Sequence, residues 1–216
     1  MSAYPEYHEA FAPLTWATPF LDHPDWRVYP RRRSLKTRAP DESYDRYCSV
    51  TLRSDDGIQQ WAELQQKPAP GSIVVPKTIS LFKYGPAFTG YQTICHGGAV
   101  MSMMDEAFGN MMIAAQREAA GLDEKAWAEL TDNTWDRPLG EGQTLKNAMK
   151  GAYVTAQINF SFLKPVLSPG VVGVECTMIE HKGHKMRLAA VMKDGQGTPL
   201  VKAESLWIQL GQRVKL

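Results

Sequence analysis

The sequence predicts an α+β fold, in which a curved antiparallel sheet wraps one long central helix. Three observations carry that prediction. Residues 99–115 are almost all apolar or small, among them Val100, Met103, Met104, Phe108 and Met111, and a helix apolar on every side is a buried one. Beyond residue 153 the chain is strand signal throughout, in four segments joined by short turns, which implies antiparallel pairing. A further β-branched and aromatic segment, 73–82, precedes the helix.

Taken in order, residues 1–40 hold six of the fourteen prolines, interleaved with Trp16, Phe20, Trp26 and Tyr29. Such a stretch forms neither long helices nor central strands, and its aromatics suit a surface layer. Residues 41–66 read as a helical stretch opened by Asp41 and Glu42, and Pro68 to Gly71 ends it. Residues 1–70 are therefore taken as an N-terminal extension to a domain at 71–216. Within the domain, Pro76 points to an edge or a bulge in the first strand. A glycine-punctuated loop leads to His96-Gly97-Gly98 and a helix running to about residue 120. Residues 121–150 form a polar insertion with room for a short helix near 124–130. Val154, Ile158, Phe160 and Phe162 then alternate with polar residues at period two. Strands at 171–179, 186–193 and 200–210 follow, through turns at Lys182-Gly183 and Asp194-Gly195, to complete a four-strand meander.

Composition excludes several functions. Lys and Arg number 24 against 23 Asp and Glu, so no basic excess exists to neutralise phosphates and nucleic-acid binding is not expected. The Arg31-Arg32-Arg33 run reads as a solvated patch offset by neighbouring acids. No stretch reaches the ~20 apolar residues of a membrane span, and the acidic first residues do not read as a secretory signal. Three cysteines without a C-x-x-C pair give no disulfide framework or zinc site and suit a reducing, cytoplasmic setting.

Five of the ten methionines fall between 101 and 112. Unbranched side chains fill an irregular concave surface, so core packing explains them better than a cofactor box. Against that apolar run two acids stand out, Asp105 and Glu106. Burying an ionised carboxylate is costly unless it is paired or reaches a cleft. Neighbours in a helix point about 100° apart, so the two acids cannot share a role. Asp105 follows Gly98 by two turns, nearly on the same face. Gly97 and Gly98 open the helix and bare its first N–H groups, which lack intrahelical partners and lie at the positive end of the dipole. Together they suggest an oxyanion site and an acid on one helix, the parts needed for acyl transfer to water.

At this point the chain resembles the hotdog-fold acyl-CoA thioesterases, in the branch marked by H-G-G, six residues and D. It reads His96-Gly97-Gly98-Ala-Val-Met-Ser-Met-Met-Asp105, with Phe88-Thr-Gly90 upstream and Val154-Thr155-Ala-Gln-Ile-Asn159-Phe-Ser-Phe-Leu-Lys164-Pro165 downstream. The resemblance spans about 71–216. It implies a five-stranded sheet around the helix, a homodimer (or dimer of dimers) joined sheet edge to sheet edge, and hydrolysis of an acyl thioester, on CoA or on a carrier, in lipid or polyketide metabolism. Asp105 is implied as general base or nucleophile, the amide of Gly97 or Gly98 as oxyanion donor, and Thr155 as the hydroxyl placing water. His96 is implied either to shape the loop and bond near the acyl oxygen or to act structurally. Gly90, Gln92, Phe108 and Asn159 are the implied substrate contacts; some members carry asparagine where Gly90 stands. The family divides each site between subunits. The spacing agrees, since seven residues of helix hold Gly98 and Asp105 ~10 Å apart.

No cofactor or metal is expected. His181 and His184 flank a turn without an acid or cysteine at ligand spacing, Cys95 lacks a thiolate-stabilising cluster, and Ser102 has no nucleophile elbow. No phosphate-binding glycine motif occurs. The same fold also serves dehydration, isomerisation or cyclisation, and non-catalytic acyl binding, because fold does not fix function.

Overall fold

The computed structural model describes residues 4–30, 46–122, 126 and 150–211. The Arg31-Arg32-Arg33 run, the Asp41-Glu42 helix start, most of the 121–150 insertion and, except for residue 126, its expected helix at 124–130 lie outside them. The long helix, α2, runs Gly97–Ala120 and ends on Gly121, whose φ of 64° provides the left-handed cap that glycine favours. Before it come α1 (Pro5–Phe11), β1 (Trp26–Pro30), a π-helical turn (Tyr47–Leu52), β2 (Ile58–Gln66), β3 (Thr78–Tyr84), β4 (Thr89–Tyr91) and β5 (Ile94–Cys95). After it come β6 (Tyr153–Phe162), β7 (Gly170–Lys182), β8 (Lys185–Lys193) and β9 (Pro199–Gln209). No helix among the described residues is long and apolar enough to cross a membrane.

An antiparallel sheet packs one face on the long helix, as the sequence predicts, but it has seven strands rather than five, in the order β1-β2-β3-β7-β8-β9-β6. The two additional strands come from the extension. Residues 58–66, read as helical, form a strand pairing with β3 from Gln65 opposite Thr78 to Ile58 opposite Tyr84. The polar residues on its inner face disguised it. Glu63 and Gln65 are buried there. Trp61 Nε1 donates to Glu63 Oε1 at 2.7 Å and Ser80 Oγ donates to the same carboxylate. Gln65 Nε2 donates to Glu118 Oε1 at 2.8 Å, and Arg117 donates to Gln65 Oε1. A polar strand face is tolerated inside because the C-terminal end of α2 satisfies it.

The last four strands are a correction to the expected meander. β7, β8 and β9 follow one another, but β6 crosses to the far side of β9, with Phe162 opposite Val201 and Tyr153 opposite Gln209. Residues 163–169 make the crossing, held by Cys95 N–H to Val166 O at 2.8 Å and Tyr84 Oη to Leu167 O at 2.8 Å. β6 thereby becomes one edge of the sheet, with β1 at the other. The first domain strand starts at Thr78, later than the expected 73.

Two cores lie on opposite faces. On the inner face, α2 packs Met103, Met104, Phe108 and Met111 against Trp61, Phe82, Val174 and Leu188. On the outer face residues 4–21 cover the sheet, setting Phe11, Leu14 and Leu21 on Leu64, Ile79 and Leu81. Trp16 locks this layer down: its Nε1 donates to Asp194 O at 2.8 Å. Gly173 makes room for its ring, since a Cβ there would come within 2.6 Å of Trp16 Cζ2. Each such buried aliphatic side chain contributes about 1.5–3 kcal/mol. A chain starting at residue 71 loses both this layer and two strands. It is expected to aggregate or to show no cooperative melt by calorimetry, whereas a soluble fragment with a sharp transition would show the extension to be dispensable.

Candidate active site

The N-terminus of α2 is built by His96 and two glycines. His96 has extended backbone, φ −60° and ψ 134°, and its Nδ1 accepts the Gly98 N–H at 3.0 Å. The ring is thus the helix N-cap, with Nδ1 as the acceptor. Val100 N–H bonds His96 O at 3.1 Å and starts the helical ladder. The Gly97 N–H has no bond to any described residue. Of the two glycines expected as oxyanion donors, Gly98 is occupied by the cap and Gly97 is open. Gly90 lies beneath His96, where a Cβ would come within 2.8 Å of His96 Cα and 2.9 Å of its Cβ. Contacts of that kind with backbone force a shift. Gly90→Ala is therefore expected to displace His96 and weaken the cap by ~1 kcal/mol, read as a lowered Tm; an unchanged Tm would show that the loop yields freely.

Two turns along the helix, half-buried Asp105 accepts a hydrogen bond from Thr155 Oγ1 at Oδ1, 3.0 Å away. Burial pushes its carboxyl above the ordinary range, the Thr155 bond pulls the other way, and the Glu106 charge adds to the rise. β6 carries Thr155 at an irregularity, since its register against β9 shifts between Thr155 and Gln157. A bulge at a sheet edge re-aims a side chain, here onto the helix.

The other candidates fall in different places. Phe108, expected as a substrate contact, is fully buried in the inner core. Asn159 is exposed further along β6, where Gln157 Nε2 bonds its Oδ1 at 3.2 Å, and Gln92 is exposed in the turn between β4 and β5. Glu106, which the sequence left without a role, turns toward the extension and accepts from Cys48 Sγ at 3.2 Å. His181 Nε2 meets Tyr153 Oη at 2.8 Å. Burial pushes the Cys95 thiol up to about 11, which leaves it inert.

The helix is not buried all round, as its composition suggested. Gly98, Met101, Ser102 and Asp105 form a strip that is not fully buried, with Met101 39% exposed. Sequence reasoning also missed Tyr47, whose Oη lies 2.5 Å from Ser102 Oγ. Only its distance from the motif, not its residue type, concealed it. Gly97 and Asp105 are eight residues of helix apart, ~12 Å, and no carbonyl reaches both within one chain.

The long helix packed on an antiparallel sheet, opened by a glycine N-terminus and carrying a hydroxyl-bonded acid two turns on, is a hotdog fold. Residues 92–201 match the model of the thioesterase superfamily, and the chain belongs to that family. It is 23% identical over 134 residues to verlamelin biosynthesis protein B of a Lecanicillium species. That match covers 61% of this chain and 55% of that protein, so the chain spans about half the relative's length. Among solved structures it is similar to a hypothetical thioesterase with coenzyme A from Streptococcus pneumoniae, 16% identical, covering 66% of this chain and 88% of that one, TM-score 0.45. It is also similar to the Escherichia coli PaaI protein of the phenylacetic acid degradation operon, 11% identical, covering 62% and 73%, TM-score 0.44.

Proposed function

We propose that this protein hydrolyses an acyl thioester, carried on CoA or on an acyl carrier, at a site shared between the subunits of a homodimer. The observation that carries the reading is Asp105, bonded by Thr155 of β6, on the same helix whose first N–H, that of Gly97, is open. Thr155 gives its proton to Asp105 Oδ1, which leaves Oδ2 to accept a proton from water and the threonine oxygen to hold that water. The water oxygen bonds the carbonyl carbon as its proton passes to Asp105. Charge develops on the carbonyl oxygen, where the partner's Gly97 N–H and the positive end of its helix meet it. The C–S bond then breaks and the proton returns to the leaving sulfur. No cofactor enters these steps.

The dimer reading is supported by the ~12 Å gap within one chain and by β6, which pairs on one side only and leaves Phe162 half-exposed along that edge. Joining two such edges satisfies both rows of backbone groups.

Release of free thiol over a panel of acyl-CoAs tests the reading: turnover on at least one chain length supports it, and none on any of them sinks acyl-CoA hydrolysis. The acid limb of the rate profile adds detail. A general base works ionised, so activity rises with pH through a pKa held above the usual carboxylate range. Thr155→Val removes the bond that lowers that pKa, so the limb is expected to move to higher pH; an unmoved limb would detach Thr155 from Asp105 in catalysis.

A further inference from the structure

We infer that Tyr47, supplied by the N-terminal extension, is a specificity-determining residue of the proposed thioester site, its ring forming one wall of the groove over α2. The inference rests on the thioester reading and concerns which acyl groups the site admits. Gly98, Ser102 and Asp105, spaced four and three residues apart, form the groove floor. On one flank stands β6, which bonds Asp105 through Thr155 and brings Phe162 Cζ to 3.8 Å from where a Gly97 Cβ would lie. On the other stands the π-helical turn: Cys48 Sγ reaches Glu106, about 100° round the helix from Asp105, and Tyr47 Oη reaches Ser102.

The hydrogen-bond order is fixed by proton count. Ser102 has one proton and gives it to Gly98 O at 2.9 Å, so Tyr47 donates to Ser102. The phenol is thereby pinned to the groove floor midway between Gly97 and Asp105. Its anchors are firm, because Cys48 is 2% and Leu52 3% exposed, while the Tyr47 side chain stays 52% exposed beside the strip. An acyl group that leaves Asp105 over Ser102 passes between β6 and this ring. The ring restricts the groove to slender, unbranched acyl groups, and its removal opens space for bulky ones.

Equilibrium binding of two unhydrolysable CoA thioethers to the full chain, linear S-hexyl-CoA and bulky S-(naphthylmethyl)-CoA, tests this. The unaltered protein is expected to prefer the linear probe. Tyr47→Ala is expected to shift the ratio of the two Kd values by about tenfold or more toward the bulky probe, the scale on which apolar pockets discriminate. Tyr47→Phe, which keeps the ring, is expected to retain the original preference within about twofold. If Tyr47→Ala leaves the ratio unchanged, including the case where both affinities fall together, Tyr47 is a structural contact and the inference is overturned. Failure of the unaltered protein to bind either probe overturns the CoA-thioester reading and this inference with it, an outcome distinct from an unchanged ratio.

Discussion

Replacing Asp105 with asparagine is expected to lower the rate of thiol release by about 10²–10⁴-fold, the range typical of a lost general base. Asparagine matches the carboxylate in shape and still accepts the Thr155 hydrogen bond, so the groove and thioester binding should persist while kcat falls. Retained turnover in Asp105→Asn would remove Asp105 from the chemistry. The same variant has a stability signature of opposite sign. A carboxyl whose pKa is higher folded than unfolded favours the folded state in its neutral form; that contribution is full below the unfolded pKa and is lost as pH rises through the folded one. Burial raises Asp105 in this way. Asp105→Asn, free of the ionisation cost, is therefore expected to melt above the unaltered protein at neutral pH, with the gap closing as pH falls from the raised folded pKa to the ordinary carboxylate value. A lower Tm at neutral pH would mean that the ionised carboxylate has a partner worth more than its desolvation.

Gly97→Pro is expected to cost about 10²–10³-fold in kcat, the scale of one lost oxyanion donor, with little loss of stability. Gly97 is the first residue of α2 after the His96 cap, the position where proline is best tolerated because its N–H has no intrahelical partner. His96 already has the extended backbone, ψ 134°, that a residue before proline requires. The nearest atom a new Cβ meets is Phe162 Cζ at 3.8 Å, an ordinary contact. The substitution thus deletes one N–H and little else. A kcat within twofold of the unaltered enzyme, with an unchanged Tm, would assign oxyanion binding elsewhere.

The parts of this account legible in the sequence are those whose signal is local. The helix start at His96-Gly97-Gly98 and its end near residue 120 were readable because glycines and an unbroken apolar run mark them. Asp105 stood out by contrast with its methionine neighbours. Thr155 was reachable only through the resemblance, since nothing local ties residue 155 to residue 105. What escaped depended on contacts distant in sequence. Residues 58–66 hid as a strand because Glu63 and Gln65 look solvent-directed until Ser80, Trp61 and the end of α2 are seen to satisfy them. The position of β6 at the sheet's far edge rests on pairing with β9 about fifty residues away. Gly97 and Gly98 were indistinguishable until the His96 ring was seen to occupy one of them.

The central claim, that Asp105 of one chain and the Gly97 N–H of another act on the same thioester carbonyl, is tested most directly by mixing the two impaired proteins. Asp105→Asn and Gly97→Pro chains carrying different tags are co-expressed, and the mixed dimer is isolated and assayed for thiol release. One of its two sites then carries both defects and the other carries neither. Activity is expected to recover to about half that of the unaltered dimer, although each parent is nearly inactive. A mixed dimer as inactive as its parents, or full activity in an unaltered monomer, would contradict a site divided between subunits.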